Sequence, residues 1–149
     1  RPRAPDYLWA PMNATLIESP DEHHWVLLDH RVTQLVIEPA SLRVQTWSLD
    51  ASAEIRLAGP FTVRVGEGAE RALDPAATES LAPALALLRR SVRSLTITRE
   101  GELSVVLGDG MVVRAAAGGG RHGGWELQGG GALEGMSYHA GPGAGAPWE

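Results

Sequence analysis

Along most of this chain the apolar residues alternate with polar ones at a period of two. Leu42, Val44 and Thr46 alternate with Arg43, Gln45 and Trp47, and Ile55 and Leu57 with Glu54 and Arg56. Phe61, Val63 and Val65 alternate with Thr62 and Arg64 after a Gly59-Pro60 turn. That period belongs to strands with one buried and one wet face, as in antiparallel sheets. An ordered segment precedes them, Trp25–Leu28, interrupted by Asp29-His30-Arg31 and resumed as a strand over Val32–Ile37 that Pro39 ends. After residue 93 the alternation returns through Leu95 and Ile97, then Leu103, Val105 and Leu107. Gly108-Asp109-Gly110 then predicts a hairpin turn with positive φ, and Met111–Ala115 the return strand. Trp125–Leu127 and Leu133–Tyr138 supply two more short strands.

Between the two blocks the period changes. Leu81, Leu85 and Leu88 fall at i, i+4 and i+7, which predicts one α-helix over about residues 80–90. Ser80 is the expected N-cap, Pro83 falls in the first turn, and Arg89-Arg90 fall in the last turn, where the helix dipole favours cations. The fold class expected is therefore α+β: a mostly antiparallel meander of about nine or ten short strands in two blocks, wrapped over one central helix. Residues 1–20 are proline-rich and read as an extended or flexible arm held by Tyr7, Trp9 and Leu16-Ile17. Residues 21–140 read as one globular domain, and 141–149 as a loose Gly/Pro tail.

Composition narrows the function. The chain has 149 residues, 44% of them hydrophobic, enough for a single core. Its net charge of −5 is scattered, which argues against a nucleic-acid partner, since that needs a clustered basic face. Every one of its 13 basic residues is Arg, as in a GC-rich coding bias. With no cysteine there are no disulfides, thiolate metal sites or thiol nucleophiles. The same absence fits a cytoplasmic location. No apolar run is long enough to span a membrane, and Arg1–Pro5 has no apolar stretch behind it of the kind a signal peptide needs.

No catalytic, cofactor or metal motif stands out. His23-His24 follow Asp21-Glu22, but adjacent strand residues point to opposite faces and cannot easily grip one ion. No Gly-x-Ser-x-Gly elbow is present, and Ser-x-x-Lys is excluded without lysine. The glycine runs at 118–120 and 129–131 are flanked by strand or loop rather than by a helix N-terminus, so they read as flexible connections. Tryptophan is the least ordinary feature, with five Trp against one Phe and two Tyr. Trp47 falls on the polar face of its strand beside Arg43 and Gln45, which makes these three the candidate partner-binding residues. His122, Glu126 and His139 are the candidates for a pocket between sheet and helix.

From residue 30 onward the chain resembles an uncharacterised bacterial domain-of-unknown-function family. The likeness is carried by Leu103–Gly110 with its Asp-Gly turn, by Trp125-Glu126-Leu127, and by Gly141-Pro142-Gly143 followed by Trp148. Arg121–Gly124 departs from it, where that family tends to carry an aromatic and an acidic residue. The resemblance implies a β-rich fold with one helix and carries no established activity. Some members look like small immunity proteins encoded near bacterial toxins. The reading is then a non-enzymatic module for a protein partner, or a homo-oligomer paired through edge strands. The rival is a small-molecule-binding domain or enzyme with a sheet–helix pocket.

Overall fold

The computed structural model describes residues 14–118 and 123–149. Among the described residues twelve strands form two antiparallel sheets that face each other across one core. β1 (Ala14–Glu18) and β2 (Glu22–Leu27) open the seven-stranded sheet. The chain then crosses to build β3 (Arg31–Glu38), β4 (Ser41–Trp47) and β5 (Ala51–Leu57) of the five-stranded sheet. β6 (Phe61–Arg64) and β7 (Arg71–Leu73) return to the first sheet, and β8 (Val92–Thr98), β9 (Leu103–Leu107) and β10 (Val112–Ala115) fill the gap between β2 and β6. β11 (Trp125–Gly131) and β12 (Ser137–Ala140) complete the second sheet beside β5. The strand orders are β1-β2-β8-β9-β10-β6-β7 and β12-β11-β5-β4-β3.

The β-rich, mostly antiparallel expectation therefore stands, but its layout does not. Each sheet draws strands from both sequence blocks, and the apolar faces of the two sheets cover each other rather than wrapping one helix. Leu42, Leu57, Leu95, Ile97, Leu103 and Leu127 are all at most 1% exposed between the sheets. Each such side chain contributes about 1.5–3 kcal/mol by leaving water. Two short strands escaped the sequence pattern: β1, whose five residues pair with β2, and the three-residue β7. β1 lies within the stretch read as an arm, while Tyr7 and Trp9 lie outside the described residues.

The central helix is a 3-10 helix, Thr78–Leu87, not an α-helix from Ser80. It starts two residues early, so Pro83 sits inside it, where an α-helix would need the missing N–H and where the ring would meet the carbonyl of Glu79. Tightening to three residues per turn lines up Leu81, Ala84 and Leu87 against the core. Leu85 and Leu88, expected on the buried stripe, are 56% and 39% exposed. Ser80 does not cap the helix; its hydroxyl accepts from Asp74 N–H at 2.9 Å and donates to the Asp74 carbonyl at 3.0 Å. Arg89 has left the helix with φ 70°, although Arg90 reaches back to the Ala86 carbonyl at 2.8 Å.

The hairpin turn forms as its sequence predicts, with φ of 62° at Asp109 and 74° at Gly110. Gly129–Gly131, read as a connection, instead finish β11 and pair with Ala53, Ser52 and Ala51. Glycine is required there because the chain doubles back over the strand: a Cβ on Gly129 would run into the Leu133 carbonyl.

Candidate functional site

The register of the five-stranded sheet assembles its outer face in rows. Trp47 pairs with Ser52, and Ser52 with Gly130, so side-chain size falls from indole to hydroxymethyl to hydrogen across three strands. The next row runs Gln34, Gln45, Glu54, Gln128, Ser137. The third runs Val36, Arg43, Arg56, Glu126, His139. All three candidate partner-binding residues, Trp47, Arg43 and Gln45, thus project from β4 onto this one face, since outward positions on a strand repeat every second residue.

The central polar groups of these rows pair with one another. Glu54 Oε1 accepts from Arg43 Nη1 at 3.1 Å and from Gln45 Nε2 at 3.0 Å. Arg43 Nε lies 3.4 Å from Glu38 Oε1, an ion-pair distance without hydrogen-bond alignment. Arg43 and Arg56 are direct cross-strand neighbours, a like-charge contact relieved by Glu54 on one side and by Glu126, 3.8 Å from Arg56, on the other. Pairs this exposed contribute ~0.2–1 kcal/mol each. The Ser41 hydroxyl, 2.7 Å from Glu38, holds that carboxyl below its usual range, with Arg43 and Arg56 adding to the effect.

Trp47 stands apart from this lattice. It is 56% exposed, and Leu49, two residues on in the β4–β5 turn, is fully exposed. Beside Trp47, the small Ser52 and the bare Gly130 leave a groove of about 210 Å³ floored by Gln45, Glu54 and Gln128. At the opposite end of the face an open cleft of about 400 Å³ is lined by Arg56, Glu126, His139 and Pro142. Glu126 and His139 therefore share a cleft, but on the outside of the sheet, and His122 lies outside the described residues.

The sheet–helix interior expected to hold a pocket is filled. The space left between Val44, Ile55, Leu57, Leu87 and Val105 is an apolar void of about 10 Å³, at the limit of what one water occupies. Its polar neighbours are committed to each other. His30, 2% exposed, has Nε2 2.6 Å from Thr46 Oγ1, and that hydroxyl donates to the Ala53 carbonyl at 3.0 Å. Thr46 must then accept from His30, which fixes the tautomer with hydrogen on Nε2. Burial lowers the His30 pKa, with Asp50 partly opposing.

Elsewhere, His23 and His24 take opposite faces of β2, the first against Tyr138 at 2.8 Å and the second against Thr96 at 2.8 Å. Among the described residues no three His, Asp or Glu side chains converge as metal ligands, and no helix is long and apolar enough to cross a membrane. Period-two patterning already puts Glu54 and Arg56 on a wet face. What it lacks is strand order, so their convergence with Trp47 and Gln128 appears only once β11 is placed beside β5.

A family model described as a family of unknown function, DUF6188, matches residues 26–142, from within β2 to just past β12. No curated protein matches the chain, and no solved structure does.

Proposed function

We propose that this chain, which belongs to the DUF6188 family, is a non-enzymatic module that holds a protein partner on the outer face of its five-stranded sheet. The carrying observation is Trp47: a large aromatic side chain, mostly exposed, standing over a groove on a face where Arg43, Gln45 and Glu54 pair with one another. Tryptophan is the residue type most enriched among interface anchors, and a rim of satisfied polar groups excludes water around such an anchor. Leu49 extends the apolar contact beyond Trp47. The finer reading is an immunity-like bacterial protein acting in the cytoplasm. Its support is the family resemblance together with the absence of cysteine.

The test compares wild type with Trp47→Ala as bait in lysate of the source organism, followed by calorimetry on any partner recovered. The expected result is a partner bound by wild type and lost by Trp47→Ala with unchanged circular dichroism, at a cost of about 2 kcal/mol or more. Equal recovery of every partner by both baits overturns the Trp47 anchor.

A second reading is favoured by the cleft at Arg56, Glu126 and His139. There the chain would bind a small molecule with both charged and polar groups, outside the sheet rather than under the helix. Thermal stabilisation by a compound, abolished in Glu126→Gln and His139→Asn but retained in Trp47→Ala, distinguishes it.

A further inference from the structure

The edges of the five-stranded sheet are treated unequally. On β12 the His139 N–H donates to the Pro147 carbonyl at 3.1 Å, so the returning tail covers the middle of that short edge. On β3 only the start is covered: Val32 N–H donates to the Arg90 carbonyl at 2.9 Å, and the Val32 carbonyl accepts from Arg89 N–H at 2.8 Å. The bulge at Thr33 shifts the alternation by one residue, so the next backbone groups on that edge belong to Leu35 and Ile37. Among the described residues β4 is the only strand beside β3, and no backbone group outside the sheet meets Leu35 or Ile37. The stretch Gln34-Leu35-Val36-Ile37 along this open edge is uncharged and mostly apolar, with Leu35 and Val36 half-buried and Ile37 49% exposed. Proteins that stay single guard such an edge with charge, proline or a bulge, and here the bulge lies ahead of the open part.

We infer that β3 pairs with β3 of a second copy, antiparallel about a two-fold axis through Val36, joining two five-stranded sheets into one of ten strands. The segment is self-complementary in four respects. Its open length, Gln34–Glu38, is bounded by Arg89-Arg90 at one end and by the Pro39 turn at the other, so two copies fit within the same limits. Leu35 and the partner's Ile37 bring their outward backbone groups into one hydrogen-bonded pair, and the symmetry repeats it. On the inner side of the sheet Leu35 covers the partner's Ile37. On the outer side Gln34 faces the partner's Glu38, an amide donor against a carboxylate rather than two like charges. This pairing stands whatever Trp47 binds. An interface confined to one strand edge is small, so the dimer belongs to the weak, concentration-dependent class.

Because the chain has no cysteine, the register can be tested with single thiols. Val36→Cys places two thiols across the axis at a non-hydrogen-bonded pair, about 4.5 Å between Cα atoms, within disulfide reach. Gln34→Cys places its two copies about 13 Å apart along the strands, out of reach. The expected result has three parts. The wild-type mass by light scattering rises toward twice the monomer with concentration, mild oxidation cross-links Val36→Cys and not Gln34→Cys, and Ile37→Lys stays monomeric with unchanged circular dichroism. A monomer at every concentration, cross-linking of both cysteine variants or of neither, or a dimer that persists in Ile37→Lys would each overturn the inference.

Discussion

The indole of Trp148 stacks on the imidazole of His23, ring centres 4.0 Å apart and planes 7° from parallel. The contact joins the chain's last segment to β2 and rests on a buried polar relay. Trp25 Nε1–H, which can only donate, lies 3.0 Å from the Tyr138 hydroxyl. That hydroxyl therefore accepts from Trp25, and it shares a second hydrogen bond with His23 Nδ1, 2.8 Å away. Burial raises the Tyr138 pKa, with the Trp25 hydrogen bond opposing and Glu18 adding, which keeps the phenol neutral. The ring orientation that Trp148 meets is thus set from inside the core.

It follows that Trp148→Ala should free the tail without unfolding the sandwich. Aromatic stacks contribute about 0.5–1.5 kcal/mol beyond area burial, so a modest drop in melting temperature is expected. The distinguishing readout is hydrogen exchange at the His139 amide, which is bonded to the Pro147 carbonyl and should lose protection while amides of β8 and β9 keep theirs. Unchanged protection at His139 would mean that Pro147 and the buried Ala146 hold the tail unaided.

The helix geometry makes a sharper prediction. On an α-helix from Ser80, Leu85 would be buried; on the 3-10 helix Leu87 is, at 1% exposure. Leu87→Ala should cost about 2–5 kcal/mol of unfolding free energy, the range for truncating a buried leucine. Leu85→Ala should fall within about 0.5 kcal/mol of wild type. Urea denaturation of the two variants checks this, and equal losses, or the reverse order, would contradict the three-residue repeat.

Much of this fold can be read from local pattern, and what cannot is long-range. β4, β5, β9 and β10 follow from alternation because each has one face in the core and one in water. β7 could not be read, since Arg71–Leu73 is too short to show a period. The three glycines ending β11 carry no side-chain signal, and only their long-range neighbours explain them: the Leu133 carbonyl at Gly129, the Ser52 hydroxyl at Gly130 and the Asp50 carbonyl at Gly131. The leucine spacing misled because Leu81 belongs to both candidate stripes, and the choice between them was made by Pro83 and by the facing sheet. For the site, the polar face of β4 was visible with Trp47 on it, but its neighbours depended on a β5–β11 pairing between residues some seventy positions apart. Glu126 and His139 lie beside each other through the local β11–β12 pairing, on the outer face of the sheet.

His30 gives a prediction about pH. Burial favours its neutral form in the folded protein, so its folded pKa lies below the unfolded value of about 6.5. The unfolded chain then binds the extra proton first as pH falls. By linkage, the stability tied to neutral His30 is fully present above about pH 6.5 and is lost as pH falls toward the lowered folded value. A protonated ring could still donate through Nε2 to Thr46, so what it loses is solvation, which the nearby Asp50 offsets only in part. Melting temperatures measured between pH 7.5 and 5 should therefore fall more steeply for wild type than for His30→Gln, which keeps a donor for Thr46 without a titrating group. Parallel curves for the two proteins would show that the buried imidazole is not what makes the sandwich sensitive to acid.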